Sequence, residues 1–141
     1  MTALVLDTNI VLDAFVFADE AAQPLLPALA QGRLQWLATP AMREELARVL
    51  DYPQIVPRLA FYALRAQDVL AAFDLHAVQV APPLKAPVTC SDPDDQKFID
   101  LAVARQAILL SKDRAVLAMT QRLAAWSVQT RTALEPLCPP P

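Results

Sequence analysis

The acidic residues of this 141-residue chain are unevenly placed. Five of its eleven aspartates fall between Asp92 and Asp113, another, Asp7, closes the first apolar run, and Glu44 and Glu45 lie side by side. Any one of them could be a helix cap or a solvated turn, where Asp is commonly found. Brought together without a cation, however, carboxylates repel one another and their pKa values rise, so a cluster assembled by the fold points to a divalent metal on oxygen ligands. The chemistry open to such a site is metal-assisted hydrolysis.

Those acids act together only if the elements that carry them meet at one edge. Residues 3–6 form a continuous apolar run, the pattern of a strand buried on both faces of a parallel sheet, and the run ends at Asp7. Helices are predicted over about 9–17 and 22–31, the second closed by Gly32 in the left-handed conformation. Residues 34–38 read as a second strand, and Thr39-Pro40 as the N-cap and first residue of a helix reaching about Leu50. Pro53 and Pro57 interrupt the chain before a helical stretch at about 58–75, followed by a third strand at 77–80. The segment 81–93 carries four prolines and reads as an ordered loop. Next come a helix over about 94–106, a strand at 108–110 ending at Ser111, a helix over 114–122 and a last strand at 126–129. A proline-rich tail, 136–141, lies outside the single domain of residues 1–135. This alternation implies an α/β fold in three layers, α/β/α, with a central, mostly parallel sheet of about five strands.

In open parallel sheets the working crevice lies beyond the carboxyl ends of the strands. Asp7 and Asp113 stand there, after the first and fourth strands, and Asp92, Asp94 and Asp95 crowd the start of the helix that feeds the fourth. Helix spacing discriminates among neighbours. After Thr39, residues Met42, Leu46, Val49 and Leu50 make an apolar stripe; Glu45 borders it, three after Met42 and four before Val49, whereas Glu44 faces outward with Arg48. Asp95 precedes Phe98, Ile99 and Ala102 by three, four and seven and shares their inward face, while Asp94, four before Phe98, stays an alternative. Asp100 turns away from that stripe and is expected to be solvated.

Composition removes several other classes. With 55% hydrophobic and 19% charged residues the chain can bury a core and is not disordered. Its apolar runs, such as 14–18 and 59–64, fall well short of the ~18 residues of a spanning helix. The first ten residues contain Asp7 and Asn9, lack a basic start and do not read as a secretion signal. One glycine excludes both the dinucleotide fingerprint and the phosphate-binding loop of nucleotide hydrolases, each of which needs several. Cys90 and Cys138 match neither a metal-ligand spacing nor a disulfide framework, which fits a reducing cytoplasm. The lone His76, at a helix end far from the acids, reads as structural and disfavours His-based cleavage of RNA.

Four segments, Leu4-Val5-Leu6-Asp7-Thr8-Asn9, Glu45-Leu46, Asp92-Pro93-Asp94-Asp95-Gln96-Lys97-Phe98 and Ser111-Lys112-Asp113, resemble the signature segments of PIN-domain nucleases. Their order and spacing cover most of the chain. Within that family, the run Cys90-Ser91-Asp92-Pro93-Asp94-Asp95 is similar to that of the toxin components of bacterial toxin-antitoxin pairs. The resemblance implies a metal-dependent ribonuclease in which Asp7, Glu45, Asp95 and Asp113 hold one or two Mg²⁺ or Mn²⁺ ions that activate water for attack on an RNA phosphodiester. It gives Asn9 a part in holding the site and Ser111 a part in supporting the first carboxylate. A cognate antitoxin protein and a homodimer are implied as well.

The chain departs from the common family pattern after Asp113, where Arg114-Ala115-Val116 carries no further acid or aromatic, and this points to one-metal occupancy. Nearby cations are few: Lys97, Lys112, Arg114, Arg43 and Arg48. The net charge of -3 speaks against a broad basic surface for nucleic acid. Setting aside the four implied ligands leaves eleven acids against twelve bases, so an RNA substrate is not excluded, and modest affinity for bulk nucleic acid is expected.

Two other readings are distinguishable. A metal-dependent phosphatase of the haloacid dehalogenase type also begins with a strand ending in Asp, but it expects a second Asp two residues on, where this chain has Asn9. A PIN-like fold kept as a catalytically inactive binding or regulatory module has no need of all four acids. The apolar face of Leu59, Tyr62, Ala63, Ala66, Val69, Leu70 and Phe73 reads as core, with part of it, beside Phe15 and Phe17, available to a second copy or to an antitoxin helix.

Overall fold

The computed structural model describes residues 2–133. Five strands, β1 (Thr2–Leu6), β2 (Leu34–Ala38), β3 (Ala77–Gln79), β4 (Ile108–Leu110) and β5 (Thr130–Arg131), form one sheet in the order β3-β2-β1-β4-β5. Every pairing is parallel. Between them run α1 (Thr8–Phe15), α2 (Leu25–Ala30), α3 (Pro40–Leu50), α4 (Val56–Phe61), α5 (Ala66–His76), α6 (Gln96–Arg105), α7 (Arg114–Leu117) and α8 (Thr120–Ala124). Short 3-10 turns stand at Glu20–Ala22 and Pro93–Asp95.

The strand order reflects the connections. The chain steps outward from β1 to β2 and β3, then crosses back to lay β4 on the other side of β1. Right-handed crossovers in opposite directions place helices on both faces. In line with this, α1 touches α3 and α3 touches α5, while α6 packs on β1 and β4. Leu4, Val5 and Leu109 are accordingly fully buried, as the unbroken apolar runs of β1 and β4 require. The reversal falls between β1 and β4, whose last residues pair as Leu6 with Leu110.

Local chemistry sets most element ends. Gly32 is left-handed at φ +73°, and the amides of Gly32 and Arg33 donate to the carbonyls of Leu29 (3.1 Å) and Ala28 (3.0 Å), which closes α2. Thr39 takes the N-cap position of α3 with extended backbone and Pro40 comes next as first residue, but the Thr39 side chain makes no capping bond. On the α3 and α5 side, Trp36 of β2 meets Phe73 edge-on at 5.0 Å and Phe15 in a stack at 5.7 Å. His76 stands 5.9 Å from the Phe15 ring in a tilted contact.

Four expectations are corrected. The helical stretch expected at 58–75 is two helices, because Ala63 turns left-handed at φ +55° and the Arg65 amide restarts the chain by donating to Asp68 Oδ2 at 2.8 Å. The helix expected over 114–122 is likewise split into α7 and α8. The last strand lies at Thr130–Arg131, not 126–129, since the amides of Trp126, Ser127 and Val128 are spent closing the end of α8. Asp100 is not simply solvated: its Oδ1 accepts from the Ala86 amide (2.8 Å) and from Gln96 Nε2 (2.7 Å).

That last contact orders the proline loop. Gln96 also donates to the Val88 carbonyl at 3.0 Å and accepts from the Cys90 amide at 2.7 Å, so the first turn of α6 holds residues 86–90 directly. Of the apolar face at α4 and α5, Leu59, Val69 and Phe73 are buried, whereas Val56, Phe61 and Tyr62 are exposed. Among the described residues no helix is long and apolar enough to cross a membrane. The expected tail at 136–141, Cys138 and the domain end at residue 135 lie outside the described residues.

Replacing Asp100 with Ala strands the Ala86 amide and one Gln96 donor. A stability loss of about 2 kcal/mol is expected for a charge-assisted pair, measured by urea denaturation, with faster hydrogen exchange at Ala86 and Cys90 if the loop depends on it.

Candidate metal centre

The site is built at the reversal between β1 and β4. The Asp7 amide continues the ladder to the Leu110 carbonyl at 3.0 Å, which fixes where β1 ends. Asp7 then caps α1: its backbone is extended, its carbonyl accepts from Ile10 and Val11, and Oδ1 accepts from the Asn9 amide at 3.4 Å. The fully buried Ser111 hydroxyl donates to Asp7 Oδ2 at 2.6 Å and accepts from the Asp113 amide at 3.0 Å. One hydroxyl therefore couples the ends of both strands. Asp113 in turn caps α7 through the Ala115 amide, 2.8 Å from Oδ1.

Asp95 arrives from the turn that opens α6. Asp92 caps the preceding 3-10 turn by accepting from the Asp94 amide at 3.0 Å, and this sends Asp94 outward and Asp95 inward. Asp7, Asp95 and Asp113 each bring a carboxylate oxygen within 4.8 Å of the others. Asp7 is 4% exposed and Asp95 7%. Among the described residues, Asp95 Oδ2 is buried and has no hydrogen-bond partner.

The electrostatics arise from that crowding. Burial, then the neighbouring charges of Asp7, Asp113 and Asp92 and a hydrogen bond with Asp113, push the Asp95 carboxyl up to about 7. Burial also raises Asp7, opposed by the Ser111 and Asn9 hydrogen bonds and reinforced by Asp113 and Glu45. A trio of hard oxygen donors, two buried and one half-buried, with one orphaned oxygen fits a divalent cation such as Mg²⁺ or Mn²⁺, whose charge cancels the repulsion.

The sequence-derived residues divide accordingly. Asp7, Asp95 and Asp113 are brought together, and Ser111 supports Asp7. Asn9 contributes its backbone amide, while the residue itself is exposed. Asp94 is exposed and offers its carbonyl to Lys97 instead. Glu45 is half-buried and near enough to Asp7 to raise its pKa, but stands outside the trio; Glu44 is exposed. Both Glu45 oxygens are occupied, Oε2 by the Thr8 hydroxyl and Oε1 by Lys97 Nζ at 2.7 Å. Sequence reasoning missed Thr8, whose place one residue after Asp7 carries no periodic signal, and it counted Lys97 only as a nearby cation. Of the other bases, Lys112 pairs with Asp13 and Arg43 with Asp74.

A carboxylate trio beyond the carboxyl ends of a doubly wound parallel sheet defines a class of metal-site α/β proteins. The PIN domain family model matches residues 3–115, and the chain belongs to the PIN-domain family. Among solved structures it is similar to the crystal structure of VapBC2 from Rickettsia felis bound to a DNA fragment from its promoter. The two share 14% identity at a TM-score of 0.62, over 92% of this chain and 98% of that one. No curated protein matches the chain.

The geometry sets two measurable outcomes. Because the folded chain keeps protons on Asp95 and Asp7 that the unfolded chain releases near pH 4, metal-free stability falls as pH rises from about 4 to about 7. Thermal melts in EDTA should show that decline; Asp95→Asn should flatten it, raise the melting temperature at pH 7.5 and abolish the shift that Mn²⁺ produces in wild type. Ser111→Ala frees the Asp7 carboxylate to turn and should weaken Mn²⁺ binding by about 10–100-fold in calorimetry.

Proposed function

We propose that this protein is a Mg²⁺- or Mn²⁺-dependent endoribonuclease and the toxin of a toxin-antitoxin pair. The observation that carries the reading is the trio of buried Asp7 and Asp95 and half-buried Asp113, with its orphaned Asp95 oxygen, at the reversal of the sheet. PIN domains are in general nucleases, which supports hydrolysis of a phosphodiester. The structural neighbour is a complex of VapB and VapC type, which supports an antitoxin partner for this chain.

In this reading Asp7, Asp95 and Asp113 hold the ion. When bound, it lowers the pKa of water and offsets charge developing on the phosphoryl oxygens. Ser111 keeps the Asp7 carboxylate aimed at the cluster, and the two helix caps fix where the Asp7 and Asp113 carboxylates stand. Glu45, tied to Thr8 and Lys97, borders the cluster and orients what approaches it. The exposed Val56, Phe61 and Tyr62 offer an apolar surface for a second copy or an antitoxin, and a cytoplasmic location suits an RNA substrate.

The test is cleavage of a panel of single-stranded and structured RNAs by purified protein with Mg²⁺, Mn²⁺ or EDTA, beside Asp7→Asn. Cutting that needs metal and falls by at least about 100-fold in the variant, the upper end of what even an outer-shell change costs, supports the reading. Absence of cutting by metal-loaded wild type overturns it in favour of an inactive binding module.

A further inference from the structure

Lys97 is held more firmly than a surface lysine. Its ammonium donates to Glu45 Oε1 at 2.7 Å and to the Asp94 carbonyl, and it stands 5.1 Å from the centre of the Phe98 ring. The side chain is 23% exposed and that of its partner Glu45 16%. An ammonium has three donors, so two are engaged and one is left. The acceptors it uses, a carboxylate and a backbone carbonyl, are the oxygen types a hard divalent ion takes.

Glu45 is correspondingly committed. With Thr8 on one oxygen and Lys97 on the other, each oxygen already accepts a bond, and an ion taken by Glu45 would compete with a half-buried ion pair. A second divalent ion on Glu45 would also face the ammonium at close range. Yet the pair is anchored one residue from two members of the trio, Glu45 by the hydroxyl of Thr8 beside Asp7 and Lys97 by the carbonyl of Asp94 beside Asp95.

We propose that Lys97 supplies the second positive charge of the site: the chain binds one divalent ion, on Asp7, Asp95 and Asp113, and the Lys97 ammonium, fixed by Glu45 and the Asp94 carbonyl, stands where a second ion would bind and donates its remaining N–H to a phosphoryl oxygen. Glu45 is then a positioning residue for Lys97. The inference rests on the metal reading above and makes the one-ion stoichiometry a property of a specific side chain.

The experiment is Mn²⁺ titration of the intact protein by calorimetry and electron paramagnetic resonance, for wild type, Lys97→Met, Lys97→Arg and Glu45→Gln, with circular dichroism melts to confirm folding. Wild type and Lys97→Arg should bind one ion each. Lys97→Met, which frees Glu45 and removes the competing charge, should bind a second and show the broadened signal of two neighbouring Mn²⁺ ions. Glu45→Gln should keep the single ion with less than about a tenfold change in affinity. Two ions in wild type, a single ion in folded Lys97→Met up to millimolar Mn²⁺, or loss of the ion in Glu45→Gln each overturn the proposal while leaving a metal site in place. No ion in wild type overturns the metal reading itself.

Discussion

Mutual repulsion of three carboxylates is the constraint to which the rest of the molecule answers. At an effective dielectric near 20, two unit charges 4.8 Å apart cost on the order of 3 kcal/mol, against a stability of roughly 5–15 kcal/mol for a whole domain. The scaffold compensates the three unequally. Asp7 receives the Ser111 hydroxyl and a backbone amide at the start of α1, and Asp113 receives the Ala115 amide at the start of α7. Asp95, although next to the first turn of α6, makes no capping bond and keeps an unpaired oxygen. It is also the acid pushed up to about 7, so it is where positive charge from outside has most to offset.

Such an arrangement persists only if the backbone cannot relax it. Parallel pairing of β1 with β4 sets the strand ends, and the two-sided bond of Ser111 ties Asp7, just beyond β1, to the Asp113 amide beyond β4. The opening of α6 sets the third position. Four successive residues there serve four partners: Asp95 the acidic trio, Gln96 the proline loop, Lys97 Glu45, and Phe98 the core. A shift of that turn would disturb all four, which makes the 86–90 loop part of the support of the site even though none of its side chains belongs to the trio.

The fold was readable because parallel strands buried on both faces leave a nearly continuous apolar signature, unbroken in residues 3–6 and 108–110 and interrupted only by Gln35 in 34–38. The acids were readable because strand ends and helix spacing restrict where a carboxylate can point; Asp95 was separated from Asp100, and Glu45 from Glu44, by periodicity alone. The hidden part depends on contacts between distant segments. No local pattern announces that Ala63 turns left-handed and ends a helix, or that the amides of residues 126–128 go to α8 and displace β5 to Thr130–Arg131. Asp100 looked solvated because its partner, the Ala86 amide, lies fourteen residues away in a loop without periodicity. Spacing shows which face of α3 carries Glu45 and not that Thr8 and Lys97 each bond one of its oxygens.

The same contacts change what the net charge means. Counted along the chain, several bases lie near the acids, but Lys97 answers Glu45, Lys112 answers Asp13 and Arg43 answers Asp74. With those three bases facing acids of their own, the bare trio itself offers a phosphate no attraction. A cation on Asp7, Asp95 and Asp113 reverses the sign of the local field where Asp95 keeps an unpaired carboxylate oxygen. On the metal reading, ion binding thus precedes productive binding of a polyanion, and the modest affinity expected from the acidic composition becomes a dependence on the ion rather than on the surface charge around it.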